Sequence, residues 1–224
     1  MSFDLSPQRI REAVVFLIAL VLSIAVHEFG HAIMADKLGD RTPRSQGRVT
    51  LNPLAHADPI GTLLFPLIAL LTNMGILFGW GKPVLINPMA FTRRFRKKVS
   101  HLFVALAGPA MNVILALIVT IIFGLGIATK IIQPDQDIAN GLIQVIMLNW
   151  VLFFFNLIPC PPLDGGAVLA GILPDRHQNI IEFLQRYGFL ILIGLLVTGA
   201  VSIFVFPARW ITIQSILLMH RIFA

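Results

Sequence analysis

His27-Glu28-Phe29-Gly30-His31 closes an apolar run from Ala13 to Val26, and the reading of this stretch decides the fold. Its pattern is H-E-x-x-H. On a helix, residues four apart sit about 40° from each other, so both imidazoles reach one cation. Glu28 lies about 100° from His27, near enough to touch a water on that cation without ligating it. The bare pattern arises by chance in many chains; its place in an apolar segment makes it specific here. Ionisable groups in such a segment cost at least about 2.5–3.5 kcal/mol each, so they need a partner or a task. The plainer reading, a helix end whose histidines sit among lipid headgroups, leaves that cost unexplained.

Composition agrees with a membrane setting. Of 224 residues, 57% are hydrophobic and 12% charged. A water-soluble domain has about 25% charged residues, so the chain reads as an integral membrane protein and not as a soluble one. The net charge of +6 does not point to nucleic acid, because the basic residues lie in short segments between apolar runs. The single cysteine, Cys160, excludes an internal disulfide. Arg9, Arg11 and the run after them resemble a signal peptide, but cleavage there would separate the run from His27, so an uncleaved helix is expected.

The expected fold is an all-α polytopic membrane protein, one domain over residues 1–224, with five to six membrane-embedded segments. Those segments run over about 12–34, 60–80, 101–129, 138–158 and 187–206, with a short last one from 210. Between the first two lies a polar stretch, Arg41 to Asp58. Within it Arg48-Val49-Thr50-Leu51 has strand character, and Gly79 to Pro88 reads as a second extended piece. Together they predict a small juxtamembrane or re-entrant β element, with an edge onto which an extended substrate could add.

Charge predicts topology. The region 36–100 holds ten of the seventeen Lys and Arg residues, including Lys37, Arg41, Arg44, Arg48, Lys82 and Arg93 to Lys98. The connection after Thr129 sets Lys130 against Asp135 and Asp137. By the positive-inside rule 36–100 is cytoplasmic and 130–137 is outside. Arg9 and Arg11, partly offset by Asp4 and Glu12, are outvoted. Both flanks of 60–80 are then basic, so this segment dips in and returns, with Pro66 and Gly75 breaking its helix.

Two histidines need a third protein ligand and an open position to make a catalytic metal site. Asp164 is the best candidate, in Asn156-Leu-Ile-Pro-Cys-Pro-Pro-Leu-Asp164-Gly165-Gly166. Pro159, Pro161 and Pro162 break the fourth apolar segment, and irregular backbone at membrane depth is tolerated only when packed in protein or lining a wet cavity. Asp164 alone would also suit the start of a helix at Gly165. With 60–80 re-entrant, His31 and Asp164 approach the same side, so the charge count and the metal requirement agree on one topology.

On these motifs the chain resembles the site-2 proteases, the intramembrane zinc metalloproteases, in a short bacterial type without PDZ or CBS domains. The resemblance rests on His27 to His31, on Leu106-Ala107-Gly108-Pro109-Ala110-Met111-Asn112 and on Asn156 to Gly166. Residues 47–56 and 79–88 are similar to that type as well. It implies that His27, His31 and Asp164 bind one zinc ion, that Glu28 is general base and acid, and that Asn156 helps hold the substrate or the oxyanion. It further implies a multi-pass protein of a bacterial inner or plasma membrane, its active site toward the cytoplasm, acting on transmembrane protein substrates. A membrane metal-ion transporter or a catalytically inactive metal-binding relative is the alternative. A transporter would want ligands on several facing helices, and Glu28 is not needed for binding alone. A purely structural protein is disfavoured by the cost of the polar groups.

Other polar residues read more plainly. His56 and Asp58 either line a channel or make a locally bonded turn. Cys160 reads as packing. Asn112 is expected to bond a neighbouring helix. Arg93 to Lys98 is an anchor at anionic headgroups. His101, His177 and His220 suggest interfacial positions.

Overall fold

The Ser6 hydroxyl accepts a hydrogen bond from the Arg9 amide, and Pro7 follows where no amide donor is needed, so the first helix starts there. This helix, α1, spans Pro7–Lys37. The structure is a computed structural model that describes residues 6–72, 79–92, 94–133 and 137–223. Asp4, Gly75, Arg93 and Asp135 lie outside the described residues. Short helices α2 (Thr42–Ser45) and α3 (Pro53–His56) follow, then a π-turn at Pro59–Leu64 and α4 (Phe65–Leu71). The longer helices are α5 (Lys97–Ala128) and α6 (Asp137–Asn156), and beyond the short α7 (Asp164–Ile172) come α8 (Gln178–Val197) and α9 (Ser202–Phe223).

Among the described residues five helices, α1, α5, α6, α8 with its preceding turn, and α9, are long and apolar enough to cross a membrane. Their outward faces are apolar: Leu117, Ile118, Ile121 and Ile122 of α5 are each about half exposed. In water that would be an aggregating surface; against lipid it costs nothing, and the chain is a multi-pass membrane protein.

Small residues let the helices approach. A Cβ on Gly30 would lie 2.5 Å from the Ala107 carbonyl, so α1 and α5 cross with backbones nearly touching. Gly124 of α5 likewise faces Met219 of α9. Arg11 at the start of α1 pairs with Asp137 at the start of α6, 2.6 Å apart. These two helices therefore run the same way, and the last third of α1 and the loop after α6 arrive at one end.

Two sequence expectations about the fold change. First, no strand forms among the described residues. Residues 48–51 and 79–88 do come together, yet one backbone bond joins the two neighbourhoods, Lys82 N–H to the His56 carbonyl. The Arg48 guanidinium takes the rest: it donates to the carbonyls of Ala55, Lys82 and Pro83. A side chain thus occupies the acceptors that a β-ladder would have used. The predicted sheet edge for an added substrate strand is absent with the sheet.

The segment 60–80, expected as a broken helix that dips in and returns, holds the π-turn and then α4, which ends at Leu71. The Trp80 amide donates to the Gly61 carbonyl, and the Thr62 hydroxyl to the Trp80 carbonyl. The two ends of the segment lie side by side, while its middle reaches the start of α1, where Arg9 donates to the Leu70 carbonyl. The second change is that the apolar run 187–206 straddles a turn. Gly199, with φ of 73°, ends α8, its amide donating to the Leu196 carbonyl, and α9 is a full helix rather than a short tail.

Candidate metal centre

Helical spacing puts His27 and His31 on the buried face of α1, and their Nε2 atoms lie 3.0 Å apart. Asp164 Oδ2 lies 3.1 Å from His27 Nε2 and 3.3 Å from His31 Nε2. A bend built by proline and glycine brings Asp164 in. A Cβ on Gly166 would fall 2.7 Å from the Pro161 nitrogen, and one on Gly165 would strike the Leu157 and Ile158 carbonyls. Only glycine lets the start of α7 fold this closely over the loop. Asp164 Oδ2 has no hydrogen-bond donor, so this oxygen does not cap α7.

The outer nitrogens of both rings are held. His31 Nδ1 donates to the Val104 carbonyl at 2.8 Å, and His27 Nδ1 to Asn112 Oδ1 at 2.6 Å. A neutral imidazole with its proton on Nδ1 has a lone pair on Nε2. With both rings neutral, three acceptors face one another in a buried site. That arrangement is repulsive until positive charge, a proton or a metal ion, enters it. Two nitrogens and a carboxylate oxygen suit zinc, and a tetrahedron with bonds of about 2.0–2.1 Å has edges near 3.3 Å. The donor set fits, with one position left open. Among the described residues this is the group of three or more metal-capable side chains that comes together.

Gly108 makes the room. Its backbone lies beneath both rings, where a Cβ would strike His31 Nε2 and sit 2.8 Å from His27 Nε2. The three side chains line a cavity of about 660 Å³ that Glu28, Asn156, Trp80 and Val84 also border. Glu28 Oε2 accepts from the Val84 amide at 3.1 Å. Asn156 Nδ2 donates one of its two hydrogens to the Leu152 carbonyl at 2.9 Å, and the residue borders the cavity.

The structure therefore brings together His27, His31, Asp164, Glu28 and Asn156. It keeps His56, Asp58 and Cys160 out of the cavity lining. His56 is fully buried, bonds the Thr50 carbonyl through Nε2, and burial pushes its pKa down. Asp58 caps the π-turn by accepting from the Ile60 and Gly61 amides. The Cys160 thiol packs on the Gly188 carbonyl. His101, expected at an interface, lines the cavity instead. Its spacing carried the signal: His101, Val104, Gly108 and Asn112 share one face of α5.

Comparison with known proteins follows the same lines. "Putative zinc metalloprotease YwhC" of Bacillus subtilis is 37% identical over 197 residues, 85% of this chain and 84% of that protein. "Putative zinc metalloprotease Rip2" of Mycolicibacterium smegmatis is 32% identical over 81% of this chain, which spans 66% of that relative's length. "Zinc metalloprotease MJ0392" of Methanocaldococcus jannaschii is 27% identical over 73% of this chain and 35% of its own. No solved structure matches. The model of Peptidase family M50 matches residues 15–140 and 125–197, so the stretches holding His27, Glu28, His31, Asn156 and Asp164 all fall within it, and the chain belongs to Peptidase family M50.

Proposed function

We propose that His27, His31 and Asp164 hold one zinc ion with which this chain, a membrane zinc metalloprotease, hydrolyses peptide bonds in or near transmembrane segments of substrate proteins. The observation that carries the reading is the convergence of His27 Nε2, His31 Nε2 and Asp164 Oδ2 within 3.3 Å of one another. Bound zinc supplies Lewis acidity and lowers the pKa of water toward about 7.

The chain's own residues do the rest. Glu28 takes a proton from the attacking water and returns it to the leaving amine. The second Nδ2 hydrogen of Asn156 orients the substrate carbonyl and steadies negative charge as it develops there. A substrate helix must unwind to enter, because its peptide groups are otherwise engaged in their own hydrogen bonds. The apolar walls around Ile24, Trp80 and Leu192 exclude bulk water from the reacting bond. The basic region 36–100 supports a cytoplasmic active site, and the adjacent ends of 60–80 support a segment that enters the membrane and returns.

Glu28→Gln is the test. Zinc binding retained with cleavage of a model transmembrane peptide lost by about 10²-fold or more supports the enzyme. Unchanged cleavage removes Glu28 from the mechanism.

A further inference from the structure

Ser23 of α1, Asn112 of α5 and Asn149 of α6 are fully buried and hydrogen-bonded to one another. The reaction described above does not use them. We propose that Asn112, fixed in orientation by Asn149 and Ser23, determines which nitrogen of His27 carries the proton and thereby aims the other at the metal. The inference rests on the zinc reading of the site.

Main-chain carbonyls can only accept. Asn149 Nδ2 lies 2.8 Å from the Val145 carbonyl, so that corner of the amide must be the nitrogen. Its second N–H meets Ser23 Oγ at 2.8 Å, and the Ser23 hydroxyl passes its own proton to the Ala19 carbonyl at 2.7 Å. Asn149 Oδ1 therefore faces Asn112, which must present its nitrogen there, at 2.8 Å. The other N–H of Asn112 goes to the Ser23 carbonyl at 3.3 Å. What remains is Asn112 Oδ1, 2.6 Å from His27 Nδ1, and an oxygen with no proton requires that nitrogen to donate.

No member of the chain can flip alone. A turned Asn112 would set its oxygen against two acceptors and its nitrogen against His27 Nδ1. His31 needs no such device, because Val104 offers it a carbonyl directly. Asn112 and Asn149 are positioning residues: the first acts through His27, the second through the first.

The test measures zinc affinity of the purified full chain by competition with a chelator, beside the visible spectrum of the cobalt-substituted protein and its helicity. Asn112→Leu is expected to weaken zinc binding by about 10–100-fold and to alter the cobalt spectrum. Asn149→Leu should weaken it less, and Ser23→Ala least. The double variant Asn112→Leu/Asn149→Leu should bind zinc no worse than Asn112→Leu, because Asn149 has no other route to the metal. Thr120→Val, which removes a buried hydroxyl elsewhere in α5, should leave affinity unchanged. Wild-type affinity in Asn112→Leu, losses that multiply in the double variant, or an equal loss in Thr120→Val would overturn the proposal. If Asn112→Leu does not fold, the ranking of Asn149→Leu, Ser23→Ala and Thr120→Val decides the matter by the same rule. A wild-type chain that binds no zinc removes the metal reading and this inference with it; zinc bound equally by wild type and Asn112→Leu removes the inference alone.

Discussion

The amide of Val84 donates to Glu28 Oε2 across 3.1 Å, tying the extended segment after Trp80 to the carboxylate beside the two histidines. That segment is itself held by Arg48, whose guanidinium is almost fully buried against the carbonyls of Ala55, Lys82 and Pro83. Hydrogen bonds to a charged group contribute about 1.5–3 kcal/mol each. Arg48→Leu should therefore loosen 79–88, lower Tm, and reduce kcat/KM for a transmembrane peptide by about 10-fold or more. Zinc content should stay at the wild-type level, since Arg48 touches none of the three proposed ligands. Loss of zinc in Arg48→Leu would show that the clamp serves the metal site rather than the segment.

Gly108 is a steric requirement of the site. A methyl group there meets both imidazoles and cannot be relieved by a flexible side chain, because the rings are held from behind. Gly108→Ala should cost about 1–3 kcal/mol of stability and displace His31 from its partners. Zinc titration should show binding weakened at least tenfold. Gly30→Ala, which forces α1 off the Ala107 carbonyl, should destabilise by a similar amount.

Metal removal is the third expectation. With zinc gone, only a proton can offset the repulsion among His27 Nε2, His31 Nε2 and Asp164 Oδ2. A ligand at one hundred times its Kd stabilises the folded state by about 2.7 kcal/mol. Chelation should lower Tm and zinc should restore it. In Asp164→Ala the zinc-dependent shift should disappear; a shift of full size there would exclude Asp164 from the site.

His56 gives a pH dependence outside the membrane spans. Burial is the main influence on its ring and lowers its pKa; the Thr50 carbonyl opposes this, Arg48 adds to it, and Glu28 opposes it. The unfolded chain binds a proton near pH 6.5, whereas the folded chain binds it only at lower pH. Between those values the unfolded state carries more protons, so stability rises with pH. The stability is complete above about pH 6.5 and is lost as pH falls toward the folded value. His56→Gln, which keeps a donor for Thr50, should flatten that part of a Tm-against-pH curve; an unchanged slope would assign it to another group.

How much of this was legible in the sequence differs by residue. H-E-x-x-H is a local pattern: 3.6 residues per turn place His27, Glu28 and His31 wherever the helix goes. Asp164 was legible from the prolines around it, because broken backbone in an apolar setting must serve something. The helices α1, α5 and α6 follow from runs of apolar residues, whereas the run 187–206 hid the turn at Gly199 between α8 and α9. The β element was misread because strand propensity describes single segments, whereas pairing needs a partner edge. Here Arg48 reached the carbonyls first.

The chain's order of residues by itself determined a membrane protein and marked His27, His31 and Asp164 as candidate ligands for one metal. Tertiary structure alone decided that Asn112, Asn149 and Ser23, on three helices, stand in line behind His27, and that His101 borders the same cavity. The reason is physical. Spacing along a helix fixes which residues share a face, but hydrogen bonds between helices depend on how closely backbones approach, and glycines such as Gly30 and Gly108 set that only once the helices have packed.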